Sequence, residues 1–287
     1  MTGLEWYPAP GKLNLMLHVL GRRDDGYHLL QTIFRLIERA DRVGVRARSD
    51  GTLRRVEPHP AVPEKDDLAL RAALLLKDHA LARMGPPARL LGADIAVEKT
   101  LPVGGGLGGG SSDAATVLLV LNRLWDLNLR RAELSSLALT LGADVPLFVF
   151  GECALGEGVG ERLTALVLEP AWYLVLVPQV AVSTREIFSD AALTRDTKQL
   201  KIPPFLSGQG KNDLEQVVTA RYPDVAAHLA WLKQHAAVAR MTGSGACVFA
   251  EFSERDEAQA LQSQLPETMR GFVTRGLQRH PLYDWAD

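Results

Sequence analysis

The sequence predicts an α+β fold, in which helices and strands are mixed along the whole chain. Hydrophobic residues make up 47% of the 287 residues and charged residues 23%, which is the balance of an ordinary globular protein. Runs of alternating apolar residues predict strands, and apolar residues three or four positions apart predict helices. Because a single hydrophobic core rarely grows beyond about 250–300 residues, we expect two domains or one large one.

The first part of the chain predicts a β-hairpin followed by a third strand. The segment KLNLMLHVL alternates apolar and polar residues, an Asp-Asp-Gly turn follows, and YHLLQTIFRLI predicts the second strand. Asp-Gly favours a hairpin because it supplies the positive φ angles that tight turns require. The segment DRVGVRARS predicts a third strand, so at least part of the sheet is expected to be antiparallel.

The next elements are predicted to be mainly helical. The segment DDLALRAALLLKDHALARM predicts a helix with Asp66 or Asp67 as its N-cap and Gly85 past its end. A strand in ADIAVEKTL, a glycine tract and a helix in SSDAATVLLVLNRLW come after it. A further helix in RRAELSSLALTL ends at Gly142 and precedes the segment ADVPLFVF.

The pattern of predicted elements changes after Gly151. Glycine-spaced strands in ECALGEGVGERLTAL and WYLVLVP come first, then a helix and loop region that ends near IPPFLSGQGKNDL. The remaining segments predict a helix (DVAAHLAWLKQHA), a strand, the loop TGSGA, a strand (CVFAEF), a helix (ERDEAQALQSQL) and a strand (GFVTRGL). We therefore expect a domain boundary near residue 160, with domains at 1–160 and 161–287.

Charge and cysteine content narrow the classes of protein. The formal net charge of −2 gives no reason to expect nucleic acid or a membrane surface as a partner. Cys153 and Cys247 lie far apart without a C-x-x-C spacing, which suits a reducing compartment and indicates neither a disulfide framework nor a zinc site. Signal-peptide, membrane-span and HExxH patterns are missing from the sequence. We expect a cytoplasmic protein with no metal site built from its own side chains.

The glycine tract in KTLPVGGGLGGGSSDAATVLLVL, residues 99–121, predicts a phosphate site. It has six glycines in seven positions and lies between a strand and an amphipathic helix, which disfavours the alternative of a flexible linker. Backbone N–H groups without Cβ atoms around them bind anions at a helix N-terminus. Ser111 and Ser112 are expected to cap the helix and could add a hydroxyl to a phosphate or to its Mg²⁺.

Neither of the two common phosphate loops fits this tract. Gly104, Gly106 and Gly109 satisfy G-x-G-x-x-G, but almost any polyglycine run would, and the acidic residue that a dinucleotide fold needs falls at Glu133 inside a helical pattern. A Walker A loop requires Lys where Gly110 stands. A dinucleotide-dependent oxidoreductase is therefore disfavoured.

Three segments in this order resemble the GHMP kinase superfamily: PAPGKLNLML, LPVGGGLGGGSSDAA and MTGSGACVFA. Together with RRDDGYHLLQT and LGADVPLF, they are most similar to the branch that phosphorylates a cytidine-diphosphate-linked methylerythritol in the non-mevalonate isoprenoid route. The resemblance implies a ribosomal-protein-S5-like N-terminal domain and a ferredoxin-like C-terminal domain. It also implies transfer of the ATP γ-phosphoryl group to a 2-hydroxyl, with Mg²⁺ arriving on ATP. Gly11 and Asp113 depart from the pattern, where many relatives have Ala and some have Asn, and Asp113 adds a charge that could favour the helix N-terminus.

The resemblance assigns the chemistry to Asp144 and Lys12. Asp144 would accept or orient the hydroxyl proton, and the Lys12 ammonium would keep that carboxylate ionised and steady the hydroxyl oxygen. From the residues alone, Asp144 could equally cap a short helix, and Lys12 could be an exposed strand lysine. The resemblance further implies that ATP is bound by the glycine-tract residues Pro102, Gly104, Gly105, Gly106, Leu107, Gly108, Gly109, Gly110, Ser111 and Ser112.

Substrate binding is implied at two places. Tyr27, His28 and Phe188 would bind cytidine by stacking and hydrogen bonds, although aromatic residues usually pack in a core. Asn14 shares the strand face of Lys12 and would contact substrate, with an exposed Asn as the alternative. The remaining assigned residues are Thr184, Gly243, Ser244 and Gly245, of which the last three could be only a tight turn.

Two other functions stay open from the sequence. The first is a GHMP kinase for another small alcohol, such as homoserine or mevalonate, which the predicted cytidine site disfavours because those acceptors carry no base. The second is a nucleotide-binding module without catalysis, which the presence of both Lys12 and Asp144 disfavours. We expect a protein that acts on a small molecule as a monomer or weak homodimer.

Overall fold

The computed structural model describes residues 3–57, 63–200 and 210–286. The predicted loop IPPFLSGQG spans residues 202–210, of which 202–209 lie outside the described residues. The strands form two mainly antiparallel sheets that are joined through one pair of strands, and helices pack on them. The predicted mixture of helices and strands is therefore confirmed. No helix within the described ranges is long and apolar enough to cross a bilayer.

A long antiparallel hairpin organises the first part of the chain. Strand β1 (Glu5–Arg22) pairs with β2 (His28–Arg48) along nearly its whole length. The turn uses Gly26, whose φ is +89°, and neither preceding aspartate has a positive φ. The hairpin is therefore confirmed, while the expectation that Asp-Gly together supply positive φ angles is wrong.

The predicted third strand, DRVGVRARS, is not a separate strand. It forms the second half of β2 and pairs with the beginning of β1, from Glu5↔Val45 to Ala9↔Asp41. Glu38 and Arg39, which stand between the two predicted strands, lie in a bulge where the register shifts between Pro10 and Gly11. A bulge leaves extra residues unpaired without ending the strand, so an exposed polar pair resembles a turn in the sequence.

Four further strands complete the first sheet. Strand β4 (Gly92–Glu98) pairs with β2 and, in parallel, with β3 (Leu53–Arg55). Strand β5 (Ala154–Gly158) pairs with β2 and with β6 (Arg162–Ala165). This sheet extends beyond residue 160, and the predicted domain boundary there stays a prediction.

Helices cover one face of this sheet around a core rich in alanine, leucine and valine. They are α1 (Leu68–Met84), α2 (Gly109–Leu124), α3 (Arg131–Leu141) and α4 (Val145–Phe150), with short 3-10 turns at Glu64–Asp66, Pro86–Leu90 and Tyr283–Trp285. The predicted ends of α1 are confirmed: Asp67 accepts from the Ala69 and Leu70 amides, and Gly85 follows the last turn. Gly142 ends α3 as predicted.

The start of α2 differs from the prediction. The helix begins at Gly109, after Gly108 in the left-handed conformation, so Ser111 and Ser112 lie inside the first turn and do not cap it. The Ser112 amide already donates to the Gly108 carbonyl oxygen at 2.9 Å. Because glycine adopts a positive φ without strain, Gly108 allows the helix to start earlier than a serine cap would.

The second sheet has the order β10–β7–β9–β8 and is antiparallel. Its strands are β7 (Trp172–Leu176), β8 (Ala239–Met241), β9 (Val248–Phe252) and β10 (Gly271–Leu277). Its helices are α5 (Thr184–Ser189), α6 (Glu215–Arg221), α7 (Pro223–His235) and α8 (Arg255–Gln262). β10 also pairs with β2 at Gly276↔Ile37 and Leu277↔Leu36 and so joins the two sheets.

A short segment also ties the second half of the chain to β1. The Leu17 amide donates to the Lys211 carbonyl at 2.9 Å, and the Asp213 amide donates to the Leu17 carbonyl at 2.8 Å. The Asp213 carboxylate accepts from the Val19 amide at 2.7 Å. These bonds attach the middle of β1, beside which the candidate site lies, to the segment that precedes α6.

Candidate active site

A cleft of about 780 Å³ opens beside the middle of β1. Its walls come from β1, β2, the glycine tract, the residues before α4, α5 and the TGSG loop, residues 242–245. Most of the residues that the sequence analysis selected meet here. They are Lys12, Asn14, Tyr27, His28, Gly104, Gly106, Gly108, Ser111, Asp144, Thr184, Phe188, Gly243, Ser244 and Gly245.

A second hollow of about 350 Å³ adjoins the cleft on the other side of the glycine tract. The tract from Pro102 to Ser111 lines it, together with the beginning of α1. The remaining selected tract residues, including Gly105, Gly109 and Gly110, lie on this side. Ser112 lines neither space, because its side chain is fully buried. Among the described residues its hydroxyl has no hydrogen-bond partner.

Lys12 and Asp144, which are far apart in sequence, form an ion pair in the cleft. The distance from Lys12 Nζ to Asp144 Oδ2 is 3.3 Å. Lys12 is 3% exposed, so the alternative of an exposed strand lysine is wrong. Asp144 directly precedes α4 but makes no side-chain capping bond, so its carboxylate points to Lys12 instead. That carboxylate is 38% exposed and can be reached by a ligand in the cleft.

Asn14 connects this pair to both halves of the chain. Its Oδ1 accepts from Lys12 Nζ at 2.5 Å, and its Nδ2 donates to Thr32 Oγ1 on β2 at 2.8 Å. Its backbone N–H donates to Thr242 Oγ1 at 2.9 Å. Asn14 is buried, so the alternative of an exposed asparagine is wrong. Its contacts orient the Lys12 ammonium rather than leave it mobile.

The glycine tract passes close to β1 and to the TGSG loop. The Lys12 amide donates to the Leu107 carbonyl at 2.9 Å, which fixes the tract beside the ion pair. A Cβ on Gly108 would lie 2.9 Å from the Phe148 ring, and a Cβ on Gly106 would lie 2.5 Å from the Thr242 carbonyl oxygen. Both glycines have positive φ angles, +72° and +77°. Two of the six glycines are thus needed for conformation and for close approach.

The TGSG loop forms the tight turn that the sequence offered as an alternative to substrate binding, and it also borders the cleft. The Gly245 amide donates to the Thr242 carbonyl at 3.0 Å. Asn212, which the sequence analysis did not select, holds this loop: its Nδ2 donates to the carbonyls of Met241 at 2.9 Å and Gly243 at 2.8 Å. Only the tertiary contact marks this buried asparagine.

A hydrogen bond also connects α5 to the TGSG loop. The Thr184 and Ser244 hydroxyls are 2.7 Å apart and share a hydrogen bond. Both residues line the cleft, so this bond closes one side of it.

A buried charge cluster behind the tract was missed in the sequence. Lys99 bonds to the Asp41 carboxylate and, at 2.8 Å, to Asp113 Oδ2. Burial raises the pKa of Asp113 to about 7, against the opposing pull of Lys99. Burial lowers the pKa of Lys99, but the two carboxylates outweigh it and raise that pKa above its usual value. Asp113 lies past the first turn of α2 and faces Lys99, so it does not act at the helix N-terminus as the sequence suggested.

Aromatic side chains border the far end of the cleft. Tyr27 is 63% exposed, so the alternative of core packing is wrong for it. The His28 and Phe188 rings lie 5.0 Å apart at an angle of 37°. Burial lowers the pKa of His28, and the neighbouring cations of Arg195 and Arg22 lower it further. This end therefore offers flat apolar faces and a ring that is neutral at neutral pH.

Comparison with known proteins identifies the family. The model of the GHMP kinases N terminal domain matches residues 67–152, and that of the GHMP kinases C terminal domain matches residues 190–271. The 4-diphosphocytidyl-2-C-methyl-D-erythritol kinase of Nitrosospira multiformis is 57% identical over 98% of this chain and 94% of its own length. That of Thiobacillus denitrificans is 58% identical over 98% of each chain.

A solved structure gives the same result. The crystal structure of a 4-(cytidine 5'-diphospho)-2C-methyl-D-erythritol kinase matches with a TM-score of 0.80 and 34% identity, over 95% of this chain and all of that one. The predicted two-domain GHMP kinase fold is thereby confirmed, with the catalytic type of an ATP-dependent small-molecule kinase. The chain belongs to the GHMP kinases, in the family of the 4-diphosphocytidyl-2-C-methyl-D-erythritol kinases.

Proposed function

We propose that this chain transfers the γ-phosphoryl group of ATP to the 2-hydroxyl of 4-diphosphocytidyl-2-C-methyl-D-erythritol, and that ADP is the second product. The observation that carries the proposal is one cleft that holds the Lys12–Asp144 pair, the glycine tract and the aromatic end. The relatives at 57% and 58% identity carry the name of this activity. Each part of the cleft suits one part of the two substrates.

The glycine tract suits the phosphates of ATP. It leads into α2, a helix of 16 residues, whose free amides and positive dipole end favour anions. Gly104 has open space where a Cβ would be, so a phosphate can approach the backbone there. We assign phosphate binding to this tract, from Pro102 to Ser111, and leave Ser112 out because its hydroxyl is buried.

The Lys12–Asp144 pair suits the transfer step. Phosphoryl transfer requires mainly positioning and charge stabilisation, with one group to take or orient the hydroxyl proton. The substrate hydroxyl oxygen would bond to the γ-phosphorus while the bond from that phosphorus to the ADP oxygen breaks, and the proton would pass to Asp144. Lys12 lies 3.3 Å from the carboxylate and is oriented by Asn14, so its charge steadies both the carboxylate and the incoming oxygen.

The aromatic end suits the cytidine. A pyrimidine stacks on flat apolar faces, and Tyr27 and Phe188 provide these beside the polar ring of His28. Homoserine and mevalonate carry no base and would leave this end empty. Thr184 and Ser244, joined by their hydroxyls, lie on the wall of the same cleft and are assigned to the substrate side.

Mg²⁺ fits this site as an ion that the phosphates mainly hold. Among the described residues, no group of three or more His, Cys, Asp or Glu side chains could hold a metal. Ser111 lines the cleft in the first turn of α2, and hydroxyl oxygen suits Mg²⁺. When bound, the ion would neutralise phosphate charge during transfer.

Cellular setting and assembly belong to the same proposal. Cys153 and Cys247 are both buried and free, which suits a reducing compartment such as the cytoplasm. We propose a monomer or weak homodimer that acts on dissolved small molecules, and size-exclusion chromatography with light scattering tests the assembly.

The experiment is ADP release from the purified chain with Mg-ATP and one of four acceptors. They are 4-diphosphocytidyl-2-C-methyl-D-erythritol, homoserine, mevalonate and galactose. We expect turnover with the cytidine compound alone, and phosphorus NMR of the product should place the new phosphate on the 2-hydroxyl. Turnover with another acceptor, or ATP binding without any turnover, would overturn the proposal.

A further inference from the structure

The guanidinium of Arg195 is anchored beside the aromatic end of the cleft. Its Nη1 donates to the Leu193 carbonyl at 3.1 Å, and its Nη2 donates to the carbonyls of Phe188 at 2.9 Å and Asp190 at 2.7 Å. These three bonds fix the plane of the group. A fourth donor, Nε–H, points to His28 Nε2 at a distance of 3.1 Å.

The chemistry of this contact determines which ring nitrogen of His28 carries the proton. A guanidinium has five N–H donors and no acceptor, so His28 Nε2 must be the acceptor. A neutral imidazole has one donor and one acceptor, and therefore its proton must lie on Nδ1. Burial and the cations of Arg195 and Arg22 lower the pKa of the ring and keep it neutral at neutral pH.

The other nitrogen is free to meet a ligand. Within the described residues, Nδ1 of His28 has no hydrogen-bond partner, and this nitrogen is not fully buried. His28 lines the cleft together with Tyr27 and Phe188, and its ring lies 5.0 Å from the Phe188 ring. A proton on Nδ1 thus makes a donor that a ligand in the cleft can reach.

We propose that Arg195 is a positioning residue that holds His28 as its Nδ1–H tautomer, so that the aromatic end presents a hydrogen-bond donor to the base. The role in recognition rests on the proposed function. Cytosine carries an acceptor at N3, whereas uracil carries N3–H there and would oppose one donor with another. The tautomer therefore favours cytidine over uridine, because an unpaired or opposed buried donor is costly.

The first test is a spectrum of the free protein. Nitrogen-15 NMR of protein with labelled histidine distinguishes the two neutral tautomers, and His28→Gln identifies the His28 signals. We expect the wild-type ring to carry its proton on Nδ1. Arg195→Met should shift the population toward Nε2–H, the tautomer that free histidine prefers. A wild-type ring with Nε2–H or with both nitrogens protonated would overturn the proposal, as would an unchanged tautomer in Arg195→Met.

Arg221→Met is the matched control. Arg221 bonds to the Asp190 carboxylate, so this variant also removes a guanidinium that anchors the same loop, but one without a bond to His28. We expect the control to keep Nδ1–H. If it changes the tautomer as much as Arg195→Met does, the effect comes from the loop and the assignment to Arg195 is wrong.

The second test is kinetic and separates the inference from the proposed function. For Arg195→Met we expect KM for the cytidine compound to rise about tenfold, the effect of about one lost hydrogen bond, with kcat nearly unchanged. The preference over the uridine analogue should fall in parallel. An unchanged KM and preference would overturn the role in recognition. If the wild-type protein shows Nδ1–H but does not turn over the cytidine compound, the proposed function is overturned. The assignment of the tautomer is then still supported.

Discussion

Replacing Gly106 with alanine tests the contact between the glycine tract and the TGSG loop. Gly106 has a φ of +77°, and a Cβ there would lie 2.5 Å from the Thr242 carbonyl oxygen and 3.0 Å from that of Gly245. Gly104 provides a matched control, because its φ is +73° and nothing lies within 4 Å of its Cβ position. The two substitutions share the backbone strain, and only Gly106→Ala adds the collision.

The expected magnitudes follow from these two terms. A non-glycine residue in the left-handed region costs about 1–2 kcal/mol, which both variants should show. Crowding one extra methyl against backbone typically costs about 1–3 kcal/mol more. Alanine also lowers the conformational entropy of the unfolded chain relative to glycine. This stabilising effect cancels between the variants because both are Gly→Ala changes. Gly106→Ala should therefore lose about 2–5 kcal/mol of unfolding free energy and Gly104→Ala about 1–2 kcal/mol.

Urea titration followed by circular dichroism measures this difference, and steady-state kinetics shows its consequence. Thr242 also holds Asn14, which bonds to Lys12, so moving the TGSG loop should lower kcat in Gly106→Ala relative to the unsubstituted protein. Equal losses of stability in the two variants would refute the reasoning, because the close approach would then contribute nothing. An unchanged kcat in Gly106→Ala would refute the link from this loop to Lys12.

Three further predictions concern single side chains. Asp144→Asn should keep ATP binding and lower kcat about 10²–10⁴-fold, and near-normal turnover would exclude Asp144 as proton acceptor. Lys99→Met removes the cation that the buried acids Asp41 and Asp113 share, and the Asp41 charge left without it should cost about 3–5 kcal/mol in urea titration. Arg275→Met, which breaks an exposed pair, should cost at most about 1 kcal/mol, and equal losses would contradict the burial argument. Burial, with a smaller contribution from Arg131, lowers the pKa of His280 to about 3, so the folded state keeps the ring neutral. Since the unfolded ring binds a proton below pH 6.5, stability is present above that pH and falls by up to about 1.4 kcal/mol per unit below it. His280→Gln should flatten this dependence between pH 7 and pH 5, and identical slopes in both proteins would contradict a neutral buried ring.

Local signals in the sequence predicted much of the secondary structure. Asp67 and Gly85 mark the ends of α1 because capping and helix termination depend on the nearest few residues. The break between the strands of the first hairpin was visible because Gly26 adopts a conformation that other residues avoid. The family was indicated by the resemblance of three segments, in their order along the chain, to those of the GHMP kinases.

Contacts between distant segments were decided only by the tertiary structure. The bulge at Glu38 and Arg39 continues β2 because β1 supplies partners beyond it, which no local pattern shows. The same holds for Arg195 beside His28, and for Lys99 between Asp41 and Asp113. An isolated lysine or arginine in a sequence reads as a solvated surface charge. The sequence alone determined which local structures form and which chemical groups are available. The tertiary structure decided which of those groups meet, because burial and long-range strand register depend on the whole chain.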